Sequence, residues 1–203
     1  MFQHCPRICL ALWLIGVFST AQAQTSPDGA AEFLRKVGDE TIVLLKDRSR
    51  PKIEKEAELR QILNKSIDMK TIGRFALGKT WREIDDQQKA RYLKLFRDYV
   101  LYSYSKRLLS YDGETFNVVK SRPIRRDALV YTLINQASGE PLETYWRVRR
   151  QNNAYYVIDV IVEGISMAVT QRSEFRTVIR QRGVEGFFDS LSTIIGKMRK
   201  STG

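Results

Sequence analysis

Residues 129–162 read LVYTLINQASGEPLETYWRVRRQNNAYYVIDVIV, and this stretch decides the fold. Its three alternating runs, 129–136, 142–150 and 155–162, are separated by segments rich in Gly, Ser and Asn. Such a pattern predicts short strands joined by turns in an antiparallel meander. The middle run is apolar on one face, which carries Leu142, Thr144, Trp146 and Val148. A single apolar face is typical of a sheet that is covered on one side only.

Helical periodicity flanks this meander on both sides. Apolar spacings of three and four predict helices over about 29–47 and 53–67. A short helix should begin after Asp68 and stop at Gly78, and Asp85 with Gln88 resembles a capping box that opens a long helix. A further strand at 115–120 precedes the meander, and helices at 167–182 and 185–199 follow it, with Gly183 as a cap between them. The pattern predicts an α+β fold, in which several helices cover one face of an antiparallel sheet of four to five strands.

The N-terminus has the pattern of a secretory signal. A positively charged residue, Arg7, precedes the apolar run ICLALWLIGVF, and Ala21-Gln22-Ala23 provides the small residues of a cleavage site. The run is shorter than the ~20 residues of a membrane-spanning helix. We expect residues 1–23 to be a cleaved signal peptide and residues 24–203 to form a single domain.

Removal of that segment would also remove the side chains that form disulfides, bind metals or act as a histidine base. Both cysteines, Cys5 and Cys9, and the only histidine, His4, lie within it. The mature chain would therefore have no disulfide, and its fold would depend on packing alone. Catalysis by a serine–histidine pair and metal binding by His or Cys are excluded as well. We expect no cofactor and no metal site.

Two motifs resemble active sites. Gly164-Ile165-Ser166-Met167-Ala168 lies at a strand-to-helix junction, the context of a hydrolase nucleophile, but the mature chain would offer this serine no histidine base. We interpret Ser166 as a helix N-cap. Asp159 is a carboxylate in an apolar strand, and we expect pairing with an arginine or with the backbone rather than a catalytic role.

The chain is strongly basic, with a formal net charge of +11. Arg172, Arg176 and Arg180 stand four residues apart and so predict a stripe along one helix face. Such charges in a secreted protein favour lipid headgroups or acidic partner proteins over nucleic acid.

Several segments together resemble the MlaC (toluene-tolerance) family. They are Arg74-Phe-Ala-Leu-Gly-Lys79, Gln87-Gln88-Lys89-Ala-Arg-Tyr, Leu108-Leu109-Ser-Tyr-Asp-Gly113, Ile158-Asp-Val-Ile-Val-Glu-Gly-Ile-Ser-Met167 and Arg182-Gly-Val-Glu-Gly186. The most specific element is the D-x-x-x-E-G-x-S run from Asp159 to Ser166. The resemblance covers roughly residues 33–191, although Tyr155 stands where the family usually has Trp.

The resemblance implies a periplasmic carrier that is not an enzyme and holds the acyl chains of a phospholipid in an apolar pocket. It would exchange lipid between an inner-membrane ABC transporter with MCE-domain subunits and an outer-membrane lipoprotein complex, with transient contact at the membrane surface. The predicted direction of the side chains and the resemblance together imply which residues line the pocket. They are Phe75, Leu77, Phe96, Val100, Tyr104, Trp146, Val148, Ile158 and Val160. Arg172, Arg176 and Arg180 would dock to a partner or membrane. A hopanoid-type carrier, an envelope adaptor with a solid core and a small periplasmic hydrolase remain alternatives.

Overall fold

The computed structural model describes residues 24–111, 113–136 and 139–200. The expected signal peptide lies outside these residues, as do Ala137 and Ser138 of the predicted turn. Within the described part, no helix has the length and apolar character needed to cross a membrane.

The described helices follow the predicted order. Their bounds are α1 Pro27–Lys46, α2 Lys52–Ser66, α3 Met69–Leu77, α4 Asp86–Leu108 and α5 Met167–Lys200, with a 3₁₀ helix at Gly78–Arg82 after α3. Local chemistry sets the ends. The side chain of Asp68 accepts the backbone N–H of Thr71 at the start of α3, and Asp85 and Gln88 form a complete capping box at the start of α4.

Glycines end or break two helices. Gly78 adopts a φ of 64° directly after α3, a left-handed conformation that favours glycine. Gly183, with φ 69° and ψ −179°, interrupts α5. Two helical segments therefore meet at a kink, in agreement with the two helices predicted on either side of Gly183.

The strands form one antiparallel meander in chain order. They are β1 Thr115–Ile124, β2 Asp127–Asn135, β3 Leu142–Gln151, β4 Ala154–Val162 and the short β5 Ile165–Ser166. The register shifts between Arg147 and Val148, so that Arg147 lies opposite Asp159 while Val148 lies opposite Val157. This bulge makes Ile158 the extra residue of β4. The predicted α+β class and one-sided sheet are confirmed.

Packed clusters of buried residues join the layers. Ala30, Ala31 and Leu34 of α1 pack on the sheet against Val130 and Val148. A second cluster forms where α3, α4 and α5 meet around the buried ring of Tyr92, and its other large side chains are Phe96, Phe175, Phe187 and Phe188. The helix α1 thus buries one face of the inner strands β2 and β3, and the second cluster packs α3, α4 and α5 against one another.

The opposite face of the sheet carries a buried charge. Asp127 is fully buried and accepts hydrogen bonds from Arg149 Nε at 2.7 Å and from Arg147 Nε at 2.8 Å. Burial pushes the pKa of Asp127 up, but the hydrogen bonds from these two guanidinium groups outweigh it and hold that pKa below its ordinary value of 3.8. Asp127 therefore joins β2 to β3 as a carboxylate.

Candidate functional site

Two adjacent apolar cavities lie between the helices and the covered face of the sheet. The larger lobe has a volume of about 360 Å³ and the smaller lobe about 220 Å³. They share six wall residues: Leu63, Ile67, Arg107, Leu108, Trp146 and Val157. The lobes therefore lie side by side, and together they reach the size of a typical small-molecule site.

The larger lobe lies beneath α1. Val37, Ile42 and Leu45 of that helix face Phe116 of β1 and Ile134 of β2. Gly38 permits this close approach, because a Cβ atom at that position would collide with the ring of Phe116. Aliphatic and aromatic side chains thus form most of this wall.

The smaller lobe lies where α3, α4 and the start of α5 face β4. Its described wall includes Met69 and Ile72 of α3, Phe96, Val100 and Tyr104 of α4, Met167 of α5 and Val160 and Val162 of β4. Burial is the main cause that raises the pKa of Tyr104, so its hydroxyl is protonated at neutral pH. The lobe offers apolar surface with few polar groups.

Trp146 forms part of both walls, and its polar edge is already satisfied. The indole Nε1 donates to Thr132 Oγ1 at 2.9 Å and to Thr144 Oγ1 at 3.2 Å, and these two buried hydroxyls also hydrogen-bond each other. The ring meets Phe116 edge-on with centroids 5.8 Å apart. Because its N–H has partners within the protein, the ring presents apolar surface to the lobes.

Asp159 and Ser166 form a capping pair next to the smaller lobe. Ser166 Oγ donates to Asp159 Oδ2 at 2.7 Å and accepts the backbone N–H of Val169 at 3.1 Å, and Asp159 Oδ1 accepts the N–H of Ala168. The N-cap predicted for Ser166 is confirmed. Asp159 has the backbone partner that was one of the two expected alternatives, while the arginine opposite it, Arg147, binds Asp127 instead.

The structure brings five of the predicted wall residues together. Phe96, Val100, Tyr104, Trp146 and Val160 all line the smaller lobe, and Trp146 lines the larger one too.

Four predicted wall residues lie elsewhere. Leu77 is buried in the cluster around Tyr92, and Phe75 is 41% exposed on the surface. Val148 is fully buried in solid packing against α1, so it does not line either lobe. The β-bulge shifts the register of β4, so that Val157, rather than Ile158, lines both lobes.

Several wall residues were not predicted at all. They include Leu63 of α2, Ile67 directly after that helix and Ile42 of α1. The same periodicity serves a filled core and a cavity wall, so it holds no signal that separates them. Arg107 and Tyr111, both in the larger lobe, were missed because charge and polarity in a helix end suggest a solvent-facing surface.

The arginines of the predicted stripe are all exposed on α5. The guanidinium of Arg172 lies over the ring of Phe75, 5.1 Å from its centroid, and its Nε would be 3.0 Å from a Cβ atom at Gly78 after α3. Arg172 is therefore partly fixed in place. No ion pair joins Arg176 or Arg180 to a carboxylate within the described ranges.

A polar depression of about 490 Å³ opens at the far end of the sheet, lined by Arg126, Arg149 and Arg150 among others. Arg149 already binds Asp127, and Arg150 donates to Asn153. Among residues 24–111, 113–136 and 139–200, no group of His, Cys, Asp and Glu side chains is placed to hold a metal ion. The apolar lobes are therefore the candidate site.

Comparison with known proteins agrees with this geometry. A model of the MlaC protein family matches residues 35–193. A relative from Haemophilus influenzae, described as the intermembrane phospholipid transport system binding protein MlaC, is 21% identical over 140 residues. The aligned region is 66% of this chain, and the chain spans 62% of the length of that relative.

A solved structure has the same fold. It is a phospholipid-binding protein from Ralstonia solanacearum in complex with a phospholipid, and the two chains superpose with a TM-score of 0.71 at 21% identity. The superposition covers 84% of this chain and 98% of the other.

Proposed function

The chain belongs to the MlaC protein family, and we propose that it is a carrier that holds the acyl chains of a phospholipid in its two lobes. The observation that carries the proposal is the pair of adjacent apolar lobes on either side of Trp146. A diacyl lipid has two tails that diverge from one glycerol, and two lobes with a shared wall suit that shape. One tail would occupy each lobe.

The free energy of the tails explains why a carrier needs such a site. At ~0.8 kcal/mol per CH₂, the transfer of two chains of about fifteen methylenes each from water to an apolar site is favourable by on the order of 24 kcal/mol. A lipid with exposed tails would not leave a membrane at a useful rate. The apolar walls replace the contacts that the tails lose.

The same walls favour release. The N–H of Trp146 and the carboxylate of Asp159 are bound to partners within the protein, so they do not compete for the cargo. Dispersion contacts without directed hydrogen bonds let the tails slide out once a membrane or partner offers equal surroundings. Such walls suit transport better than permanent storage.

Compartment and partners follow from the same proposal. With residues 1–23 removed as a signal peptide, the carrier would work in the periplasm. It would take lipid from, or give it to, an inner-membrane MCE-domain ABC transporter complex and an outer-membrane lipoprotein complex, and so maintain the lipid asymmetry of the outer membrane. Family membership and the relative described as part of an intermembrane phospholipid transport system support these roles. Arg172, Arg176 and Arg180 would dock to an acidic partner or an anionic membrane surface.

The direct test is native mass spectrometry of the purified chain, followed by lipid extraction. We expect one diacyl phospholipid for each chain. Ile42→Trp places a ring in the larger lobe and should lower lipid occupancy, whereas Val43→Trp is the matched control, because Val43 points outward and is 70% exposed. Wild-type protein without lipid, even after incubation with phospholipid vesicles, would contradict the carrier proposal and favour an adaptor.

A further inference from the structure

Arg107 occupies an unusual position at the end of α4. It is exposed to solvent, yet it lines both lobes, and it is the only cation in either wall among the described residues. No carboxylate in the described part of the chain forms an ion pair with it. Its charge does reach the site, because the guanidinium acts to lower the pKa of the Tyr104 hydroxyl, although burial dominates there and raises it.

A second polar group belongs to a residue of the same wall. Tyr111 lies one turn beyond Arg107 in the wall of the larger lobe, and its hydroxyl is buried without a hydrogen-bond partner among the described residues. A buried hydroxyl without a partner is costly, so a ligand that supplies an acceptor would gain from it. Burial and the nearby charge of Glu114 raise the pKa of Tyr111, which keeps this hydroxyl protonated as a donor at neutral pH.

The remaining charges in the two walls are negative. Glu114 belongs to the larger lobe, and Asp159 belongs to the smaller lobe, where it is bound to Ser166 and Ala168. Both carboxylates would repel a phosphate that met no cation. Arg107 is the group that makes the junction of the lobes suitable for an anion, and a guanidinium can bind two phosphate oxygens at once.

We propose that Arg107 and Tyr111 bind the phosphodiester group of the lipid whose tails fill the lobes, so that the chain selects phospholipids over neutral lipids with the same tails. The inference rests on the proposed carrier function. Glycerol places the phosphate a few bonds from the point where the tails diverge, and Arg107 lies where the two lobes share a wall. Its exposure leaves the rest of the headgroup in solvent.

The test compares two lipids that differ only in the headgroup. The delipidated full chain is incubated with vesicles that contain dioleoylphosphatidylglycerol or with dioleoylglycerol in an inert carrier lipid, and occupancy is measured by native mass spectrometry. Arg107→Gln should lower phosphatidylglycerol occupancy about tenfold at subsaturating lipid, the scale of one charge-assisted contact. Tyr111→Phe should give a smaller loss, and dioleoylglycerol binding should not change in either variant.

Two controls separate the possible outcomes. Arg107→Lys should retain part of the preference, and Lys94→Gln, an exposed cation of α4 outside both walls, should behave as wild type. If Arg107→Gln and Tyr111→Phe keep the wild-type preference for the phospholipid, the headgroup assignment is overturned and the carrier proposal stands. If wild-type protein binds neither lipid, the carrier proposal itself fails.

Discussion

The indole Nε1 of Trp146 donates a hydrogen bond to the hydroxyl of Thr132, 2.9 Å away, and so holds the ring that forms a wall of both lobes. Thr132 is fully buried, and Thr144 on the neighbouring strand supports it through a second hydroxyl. A polar contact within the sheet thus fixes an apolar surface of the cavity.

Thr132→Val keeps the shape of the side chain but removes this acceptor. We expect it to lower the free energy of unfolding by about 1–2 kcal/mol, because the indole N–H and the hydroxyl of Thr144 each lose a partner. A loosened ring should also lower lipid occupancy, measured by native mass spectrometry. Thr132→Ser is the control, since it loses a methyl group but keeps the hydroxyl and should keep the lipid. Full occupancy in Thr132→Val would show that the bond does not shape the cavity.

Asp127 should make stability depend on pH in the acidic range. Its folded pKa lies below the ordinary value of 3.8, so its contribution is present above about pH 4 and is lost as the pH falls through the folded pKa. Asp127→Asn should cost about 3 kcal/mol at pH 7, because it leaves Arg147 and Arg149 without their anion. The cost should shrink as the pH is lowered toward 2.

Urea denaturation at several pH values measures this difference. Glu32→Gln is the control, because its carboxylate is 75% exposed and its one ion pair among the described residues is with the exposed Arg35. An equal loss of stability for Asp127→Asn at every pH would mean that shape, rather than charge, explains the cost.

Ser166→Ala tests the interpretation of the serine motif. The change removes the N-cap of α5 and one partner of Asp159, and we expect it to cost about 1 kcal/mol of stability. Lipid occupancy should remain at the wild-type level, and Ser166→Thr, which keeps a hydroxyl, should restore the stability. An esterase activity in the wild type that Ser166→Ala abolishes would refute the carrier interpretation.

The arginines of α5 should contribute to docking through charge. Replacing Arg172, Arg176 and Arg180 with Glu should weaken binding to vesicles that contain anionic lipid, and wild-type binding should weaken as salt is raised. A matched triple change to Glu at the exposed Lys36 and Lys46 of α1 and Arg48 in the turn after it alters the net charge equally at a different place. Equal losses in both variants would mean that net charge, and not the stripe, governs binding.

The sequence predicts the fold well because its signals are local. Each predicted helix end depends on contacts between residues no more than four positions apart. The residues at these ends are Asp68, Gly78, Asp85 and Gln88, and each one caps a helix as expected. Alternation along β3 likewise predicts which face of the sheet is covered. These features need no knowledge of distant contacts.

The cavity wall was predicted only in part because it depends on register and on packing between distant segments. Val148 and Val160 both belong to the covered face. The helix α1 packs over Val148, whereas Val160 lines the smaller lobe. No local pattern reveals the bulge that replaces Ile158 with Val157. Tyr111 is a candidate because its buried hydroxyl has no partner in the described part of the chain, a property that no sequence pattern reveals.

The most direct measurement of the central claim is the fluorescence of Trp146. The chain has three tryptophans, of which Trp13 lies in the expected signal peptide, so Trp81→Phe leaves Trp146 as the only reporter in residues 24–203. Because Trp146 lines both lobes, phospholipids brominated along the acyl chains should quench its emission when they load, while the same lipids without bromine should not. Loading of brominated phospholipid, verified by mass spectrometry, without quenching would contradict the account, because the tails would then lie outside the lobes.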